Sequence, residues 1–135
     1  MMNEKYKTDS EKATFKLGVH LSKTFKPGDT VSLEGDLGAG KTALTKGIAF
    51  GMGIQESITS PTFTLVNSYK GDTLILHHFD VYRIDDPEEL YAIGFEEYFD
   101  IDTLTLVEWG NKIHELFPKP YIRITLTCSS ENLQE

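Results

Sequence analysis

The sequence has a single cysteine and no long run of apolar residues. With Cys128 alone, an internal disulfide and a metal cluster built on several cysteines are both excluded. No segment approaches the roughly 20 apolar residues that a membrane-spanning helix requires, and the first residues of the chain lack the apolar core of a secretory signal. We therefore expect a cytoplasmic protein with no membrane partner.

Basic residues are also scarce. The formal net charge is -8, with 21 acids against 13 lysines and arginines. Because phosphate backbones are bound mainly through Lys and Arg, this balance argues against a chain that binds nucleic acid by itself. The arginines are Arg83 and Arg123, so the chain has no arginine-rich lid of the kind that clamps phosphates in small nucleoside or metabolite kinases.

The acids are concentrated between residues 80 and 102. Nine of the 21 lie there, and Arg83 is the single base in that segment. A solvated face explains most such clusters, whereas a docking surface for a basic partner is the sharper hypothesis. The nine are Asp80, Asp85, Asp86, Glu88, Glu89, Glu96, Glu97, Asp100 and Asp102.

Residues 35–42, GDLGAGKT, match the phosphate-binding loop GxxxxGK(S/T). An apolar run ends just before them and an amphipathic stretch follows, which is the strand, loop and helix order that the motif requires. The glycines allow a tight concave loop whose backbone N–H groups face a polyphosphate, and the start of the next helix favours the same anion. The predicted nucleotide-binding residues are Gly35, Asp36, Leu37, Gly38, Ala39, Gly40, Lys41 and Thr42.

Two side chains of this loop have specific predicted roles. Lys41 supplies a mobile cation for the β and γ phosphates, and the Thr42 hydroxyl is placed to reach a bound magnesium ion. The alternative is a glycine-rich turn that binds nothing. The complete motif in its proper setting makes that alternative the weaker one.

The apolar pattern predicts one α/β domain over residues 1–135, because the chain is too short for a nucleotide domain plus a separate substrate domain. Helices are predicted at residues 10–24, with Thr8 and Glu11 in a capping box, at 41–50, from Pro87 onward and as one or two turns within 111–116. Strands are predicted at 30–34, 63–69, 73–79, 104–107 and 121–127, the second and third forming an antiparallel hairpin. The predicted fold class is a P-loop NTPase-like domain with a mixed central sheet flanked by helices.

Two strand-end acids are candidates to complete a hydrolytic site. Hydrolysis requires a carboxylate on the magnesium side and a group that orients water. Asp80 follows the apolar run LILHHF and Glu108 follows LTLV. Open α/β sheets gather ligands at the carboxyl ends of their strands, where the phosphate loop also lies. Alternatively, either acid caps the next loop or pairs with Arg83.

Other candidate residues are less well defined by the sequence. In SPTFTL, Thr62 is the first candidate for a hydroxyl that senses the γ phosphate, and Ser60 is the second; a simple turn containing proline fits equally well. Trp109, the only tryptophan, covers the nucleotide or a partner surface, or fills the core. The adjacent residues His77 and His78 point to opposite faces of a strand and make a poor metal pair.

Taken together, these motifs resemble the TsaE family of small bacterial P-loop ATPases, formerly called YjeE. The resemblance is specific, because a generic NTPase would match the first motif alone. In family order, the matching segments are GDLGAGKT, SPTFTLVNSY at 60–69, HHFDVYRI at 77–84, DPEEL at 86–90, GFEEYFD at 94–100 and LVEW at 106–109.

The resemblance implies a weak, Mg²⁺-dependent ATPase that uses ATP and ADP and acts with the TsaD and TsaB proteins. That assembly adds threonylcarbamoyl to adenosine 37 of tRNA, and ATP binding and turnover in TsaE keep it cycling. The tRNA is contacted only indirectly, through the complex. A non-catalytic nucleotide-dependent adaptor is the main alternative, and a small P-loop kinase is a weaker one.

Roles also follow from the resemblance, position by position. It implies that Lys41 holds phosphate, that Thr42 and Glu108 ligate magnesium, that Asp80 assists hydrolysis and that Trp109 lies near the nucleotide or the partner. Asp80, Lys41 and Glu108 are thus the predicted catalytic residues.

This sequence departs from the family pattern at two points. Gly110 stands where the family usually has proline, and family members commonly continue past the final strand with a Gly-Arg element, whereas this sequence ends at ENLQE. The adenine contacts are therefore the least defined part of the site. The start of the first helix, around Ser10 and Glu11, is expected to supply some of them.

Overall fold

The computed structural model describes residues 10–35, 40–59, 61, 65–82, 84–86, 88–109, 113–117 and 120–126. The strands in these ranges are β1 (Thr30–Gly35), β2 (Val66–Lys70), β3 (Ile75–Asp80), β4 (Thr103–Glu108) and β5 (Ile122–Leu126). The helices are α1 (Glu11–Ser22), α2 (Lys41–Gly51) and α3 (Glu88–Ala92), with short 3-10 turns at Phe95–Tyr98 and His114–Leu116.

The strands form one mixed sheet in the order β2-β3-β4-β1-β5. β1 lies between β4 and β5 and is parallel to both, and β3 is parallel to β4. β2 pairs with β3 in the antiparallel sense, so the predicted hairpin is confirmed. Because β1, β3 and β4 run in the same direction, their carboxyl ends meet at one edge of the sheet.

One face of the sheet is covered by α1 and α2, which approach each other closely through glycines. A Cβ added at Gly18 would lie 2.5 Å from the carbonyl oxygen of Leu44, and one added at Gly47 would collide with the carbonyl oxygen of Phe15. The buried apolar core on this face consists of Leu21, Val31, Leu33, Leu44, Ile48, Ala49, Ile54, Tyr69, Leu76, Leu104 and Leu106.

A second core lies on the opposite face, beneath α3 and the two 3-10 turns. It is rich in aromatic residues, and edge-to-face ring pairs such as Phe79 with Phe95, whose centroids are 5.1 Å apart, hold it together. Its buried members are Phe79, Val81, Ile84, Leu90, Phe95, Val107, Ile113, Phe117 and Tyr121. The acidic segment thus packs its apolar residues on the sheet, and its Glu88, Glu89, Glu96 and Glu97 are exposed.

The start of α1 differs from the predicted capping box. The N-cap is Ser10, whose hydroxyl accepts a hydrogen bond from the backbone N–H of Ala13 at 3.1 Å. Thr8 lies outside the described residues, and Glu11 is the first helical residue rather than the third. The prediction was wrong because Ser10 supplies the capping hydroxyl itself, nearer to the apolar stretch.

Other element boundaries also differ from the predictions. β2 begins at Val66 rather than at residue 63. Leu65, just before the strand, has a left-handed φ of 68°, so the extended conformation starts only after it. The helix predicted from Pro87 onward is confirmed as α3, and the turns predicted at 111–116 are seen as the 3-10 turn His114–Leu116. Among the helices in the described ranges, none has the length and apolarity to cross a bilayer.

Candidate nucleotide site

The carboxyl ends of three parallel strands place the predicted acids in one row. In the sheet register, Glu108 of β4 is the partner of Leu33 in β1 and of Asp80 in β3. Neighbouring strands are about 4.8 Å apart, so both carboxylates lie within one or two strand spacings of the end of β1. The structure therefore brings Asp80, Glu108 and the entry to the phosphate loop to the same edge.

Glycine is required at both described ends of the phosphate loop. Gly35 has a φ of 136°, and a Cβ there would collide with the carbonyl oxygen of Leu126. Gly40 has a φ of 98° and is the N-cap of α2, with no side-chain cap. Left-handed backbone of this kind is readily adopted by glycine alone. Asp36, Leu37, Gly38 and Ala39 lie outside the described residues, so their predicted contacts remain predictions.

Lys41, the first residue of α2, is buried beside the loop. Its Nζ donates a hydrogen bond to the carbonyl oxygen of Gly35 at 2.6 Å and lies 4.1 Å from the centre of the Trp109 ring. An ammonium over an indole face is attracted by the ring quadrupole. The cation is thus held at the start of a helix, where the backbone N–H groups also favour anions.

Trp109 packs at the margin of the second core, with its indole ring against the ammonium group of Lys41. It has a left-handed φ of 64°, and its backbone N–H donates a hydrogen bond to the carbonyl oxygen of Leu33 at 2.9 Å. Its half-buried ring lies 4.8 Å from that of Tyr82. A bulky residue with positive φ is strained, and this strain occurs directly after Glu108. The turn away from the strand direction lets the indole reach Lys41.

Asp80 is a half-buried carboxylate whose Oδ1 accepts a hydrogen bond from the N–H of Tyr82 at 3.0 Å. Burial raises the pKa of Asp80 above the ordinary value of 3.8, and the nearby Glu108 carboxylate adds to this effect. The Tyr82 hydrogen bond, His78 and Lys41 act in the opposite direction. A carboxylate with raised proton affinity beside a phosphate loop is suited to accept a proton or to orient water.

Thr42 and Glu108 both line one small cavity. This cavity, of about 10 Å³, lies between α2, the segment after it and the sheet. Its lining residues are Thr42, Thr45, Ile58, Thr59, His78 and Glu108. A hydroxyl and a carboxylate at one cavity can share a bound ion or water.

The donor set fits magnesium bound together with phosphate. Among the residues that the structure describes, no three His, Cys, Asp or Glu side chains are grouped closely enough to hold a metal on their own. Mg²⁺ needs no such cage, because it retains several waters and takes further oxygens from substrate phosphates. The oxygens of Thr42 and Glu108, with Asp80 adjacent, match this preference.

Sequence reasoning missed the contact between His78 and Glu108. Nε2 of His78 lies 2.6 Å from Oε2 of Glu108, and His78 is 1% exposed. His77 faces the other side, where its Nδ1 is 2.7 Å from the Ser68 hydroxyl, so the two rings do point apart as expected. The available signal was the two-residue spacing between His78 and Asp80, which places both on the same face of β3.

The predicted contacts of two further residues remain predictions. Glu11 is exposed at the start of α1, and that helix end lies beside the loop, since a Cβ at Gly40 would be 3.5 Å from Cγ2 of Thr14. Its predicted adenine contact remains a prediction. Thr62, like Ser60, lies outside the described residues, so the γ phosphate sensor also remains a prediction.

Comparison with known proteins gives consistent matches along nearly the whole chain. A family model described as "Threonylcarbamoyl adenosine biosynthesis protein TsaE" matches residues 8–135. The Bacillus subtilis protein named "tRNA threonylcarbamoyladenosine biosynthesis protein TsaE" is 39% identical over 135 residues, covering 100% of this chain and 84% of that protein. A Rickettsia conorii protein of the same name is 42% identical over 125 residues, covering 92% and 71%.

The fold matches as well. The crystal structure of Bacillus subtilis YdiB superposes with a TM-score of 0.76 at 36% identity, covering 94% of this chain and 78% of that one. This likeness, together with the five-stranded mixed sheet and its flanking helices, confirms the predicted α/β fold class of P-loop NTPases.

Proposed function

The chain belongs to the TsaE family, and from that premise we propose that it is a Mg²⁺-dependent ATPase required for threonylcarbamoyl modification of tRNA. One observation carries the ATPase assignment: Lys41 at the start of α2 and the acids Asp80 and Glu108 converge at one edge of the sheet. The names of the relatives support the pathway assignment.

In the proposed site, ATP is held chiefly by the phosphate loop. The backbone N–H groups at the start of α2 face the phosphates, and the Lys41 ammonium leaves the Gly35 carbonyl to contact the β and γ phosphate oxygens. Gly35 and Gly40 have the positive φ values with which the chain enters and leaves this loop. Binding thus depends on backbone amides and one cation.

The hydrolytic step relies on the two strand-end acids. Thr42 and Glu108 would hold a magnesium ion, and its positive charge would stabilise the phosphoryl group during transfer. Asp80, one strand further from the loop, orients the attacking water and accepts its proton. Trp109 covers Lys41 and limits its exposure to solvent.

We further propose that TsaD and TsaB are the partners, that tRNA is contacted through them, and that the protein works in the cytoplasm. The charge of -8 disfavours direct binding to tRNA. The exposed acids Glu88, Glu89, Glu96 and Glu97 offer a surface for a basic partner instead.

The decisive experiment is phosphate release from ATP, measured with and without purified TsaD and TsaB. We expect slow release from the protein alone and a clear stimulation by the two partners. Absence of nucleotide binding would refute the ATPase assignment, and binding without any stimulation would refute the partner assignment.

An adaptor that binds nucleotide without turnover is distinguished by Asp80→Ala. We expect this variant to bind ATP as the parent does in a calorimetric titration but to release phosphate about a hundredfold more slowly. Asp102→Ala, which alters an exposed acid outside the site, serves as the control. Equal phosphate release by parent and Asp80→Ala would favour the adaptor.

A further inference from the structure

His78 is a buried polar side chain that contacts Glu108, one of the predicted site residues. The ring is 1% exposed, and its Nε2 lies 2.6 Å from Oε2 of Glu108. Within the part of the chain that the structure describes, its Nδ1 has no hydrogen-bond partner. A buried imidazole costs folding free energy that an aliphatic side chain would avoid, so the contact with Glu108 calls for a functional reason.

The sheet register explains how the two side chains meet. His78 is the register partner of Leu106, two residues before Glu108 on the neighbouring parallel strand. Side chains two residues apart share a face, so the ring approaches Glu108 from the interior of the sheet. A hydrogen bond to Oε2 leaves the other carboxylate oxygen available to the cavity shared with Thr42.

The carboxylate has reason to move if it is not held. A glutamate side chain has three rotatable bonds, and the like charge of Asp80 lies on the adjacent strand at the same level. Electrostatic repulsion between the two acids favours rotamers that carry Glu108 away from the loop. Carboxylates that ligate metals are generally oriented by a hydrogen bond from a neighbouring group.

We propose that His78 is a positioning residue that donates from Nε2 to Glu108 and holds this carboxylate in the orientation that serves the magnesium and nucleotide. The inference rests on the proposed function. When the ring carries its proton on Nε2, that N–H donates to Glu108 and the unpartnered Nδ1 is an acceptor. This tautomer therefore leaves no buried N–H donor of the ring without a partner.

The test compares His78→Leu and His78→Gln with the parent in calorimetric titrations of ADP, at several Mg²⁺ concentrations and with Mg²⁺ chelated. We expect His78→Leu to lower the apparent Mg²⁺ affinity about 10- to 100-fold. Affinity for ADP without Mg²⁺, which depends on the loop and Lys41, should change little. His78→Gln retains an N–H donor and should recover part of the Mg²⁺ dependence.

His77→Leu is the matched control, because this ring lies on the opposite face of the same strand and contacts Ser68 and Tyr98 instead. It should leave both affinities near those of the parent. Equal loss of Mg²⁺-dependent and Mg²⁺-free affinity in His78→Leu would indicate a structural role and overturn the proposal.

A second measurement needs no substitution and covers the case in which His78→Leu does not fold. In the ¹⁵N-labelled parent, long-range ¹H–¹⁵N spectra should show His78 protonated at Nε2, and protonation at Nδ1 alone would overturn the proposal. If the parent binds ADP and responds to Mg²⁺ but His78→Leu responds identically, only the role of His78 is refuted. If the parent does not bind ADP at all, the proposed function fails, and this inference fails with it.

Discussion

The ammonium group of Lys41 lies 4.1 Å from the centre of the Trp109 indole ring. The same group donates a hydrogen bond to the Gly35 carbonyl at 2.6 Å. A bound triphosphate would offer Lys41 charged oxygens, which form stronger hydrogen bonds than a neutral carbonyl does. Movement of Lys41 toward the phosphates would therefore change the surroundings of Trp109, which is the only tryptophan of the chain.

We predict that Lys41→Ala weakens nucleotide binding about tenfold or more, because hydrogen bonds to charged groups contribute about 1.5–3 kcal/mol each. Calorimetric titration with ATP and Mg²⁺ measures the change directly. In the parent, Trp109 emission should shift on the same titration, and in Lys41→Ala this response should be much reduced. The control is Lys46→Ala, an exposed lysine of the same helix; if Lys41→Ala binds as tightly as that control, the predicted role is wrong.

We predict that Asp80→Asn slows hydrolysis but slightly raises the melting temperature at neutral pH. Burial raises the pKa of Asp80, so the native state binds this proton more tightly than the unfolded chain does. At pH values above the raised pKa, the ionised carboxylate therefore destabilises the fold, and this effect disappears below the ordinary value of 3.8. Asparagine removes the charge and can still accept from the Tyr82 N–H.

Thermal melts from pH 4 to pH 8 test this linkage. The advantage of Asp80→Asn over the parent should shrink toward the acidic end of the range. Asp102→Asn, at an exposed position, should show no such trend. A melting temperature for Asp80→Asn below that of the parent at neutral pH would contradict the argument.

We predict that Gly47→Ala destabilises the fold although it favours helix. Alanine is about 0.8–1 kcal/mol better than glycine in a helix interior, but overpacking costs about 1–3 kcal/mol. The added Cβ would collide with the backbone carbonyl of Phe15, which cannot move aside as a flexible side chain can. The second effect should prevail and lower the melting temperature by roughly 2–8 °C.

Thermal denaturation followed by circular dichroism provides the measurement. Lys46→Ala, one residue earlier on the exposed face of the same helix, controls for the general effect of alanine in α2. A melting temperature for Gly47→Ala at or above that of the parent would mean that α1 and α2 separate without penalty.

We predict that reversing two charges of the acidic segment weakens assembly with TsaD and TsaB. Glu96 and Glu97 are exposed on the 3-10 turn Phe95–Tyr98, so substitution by lysine leaves the fold intact. With a basic partner surface opposite, the double variant should bind about tenfold or more weakly, and most clearly at low ionic strength. Glu56→Lys, an exposed acid outside the segment, is the control. Unchanged complex formation would leave the acids as a solvated face.

Much of the candidate site was predictable because its signals are local. The motif at residues 35–42 is contiguous, and its glycines are those that the backbone requires at Gly35 and Gly40. Asp80 and Glu108 each follow an apolar strand, and acids at the carboxyl ends of parallel strands must reach the same edge of a sheet. The antiparallel hairpin also followed from a short polar reversal between two strands.

The predicted capping box at the start of α1 was wrong because two local signals competed. Ser10 and Thr8 are both acceptable N-caps, and the chain uses the one nearer to the residues that α1 buries. Those buried residues are Thr14, Gly18 and Leu21. The small residues face α2 because the two helices pack closely through glycine.

The sequence by itself determined the phosphate loop, the strand-end acids and the α/β class, since each depends on neighbours within a few residues. Only the tertiary structure decided that Glu108 lies between Leu33 and Asp80, that His78 hydrogen-bonds to Glu108, and that Trp109 covers Lys41. These contacts join residues at least 28 positions apart, the smallest separation being that of Asp80 and Glu108. They depend on strand order and register, which the packing of the whole sheet sets and no local pattern encodes.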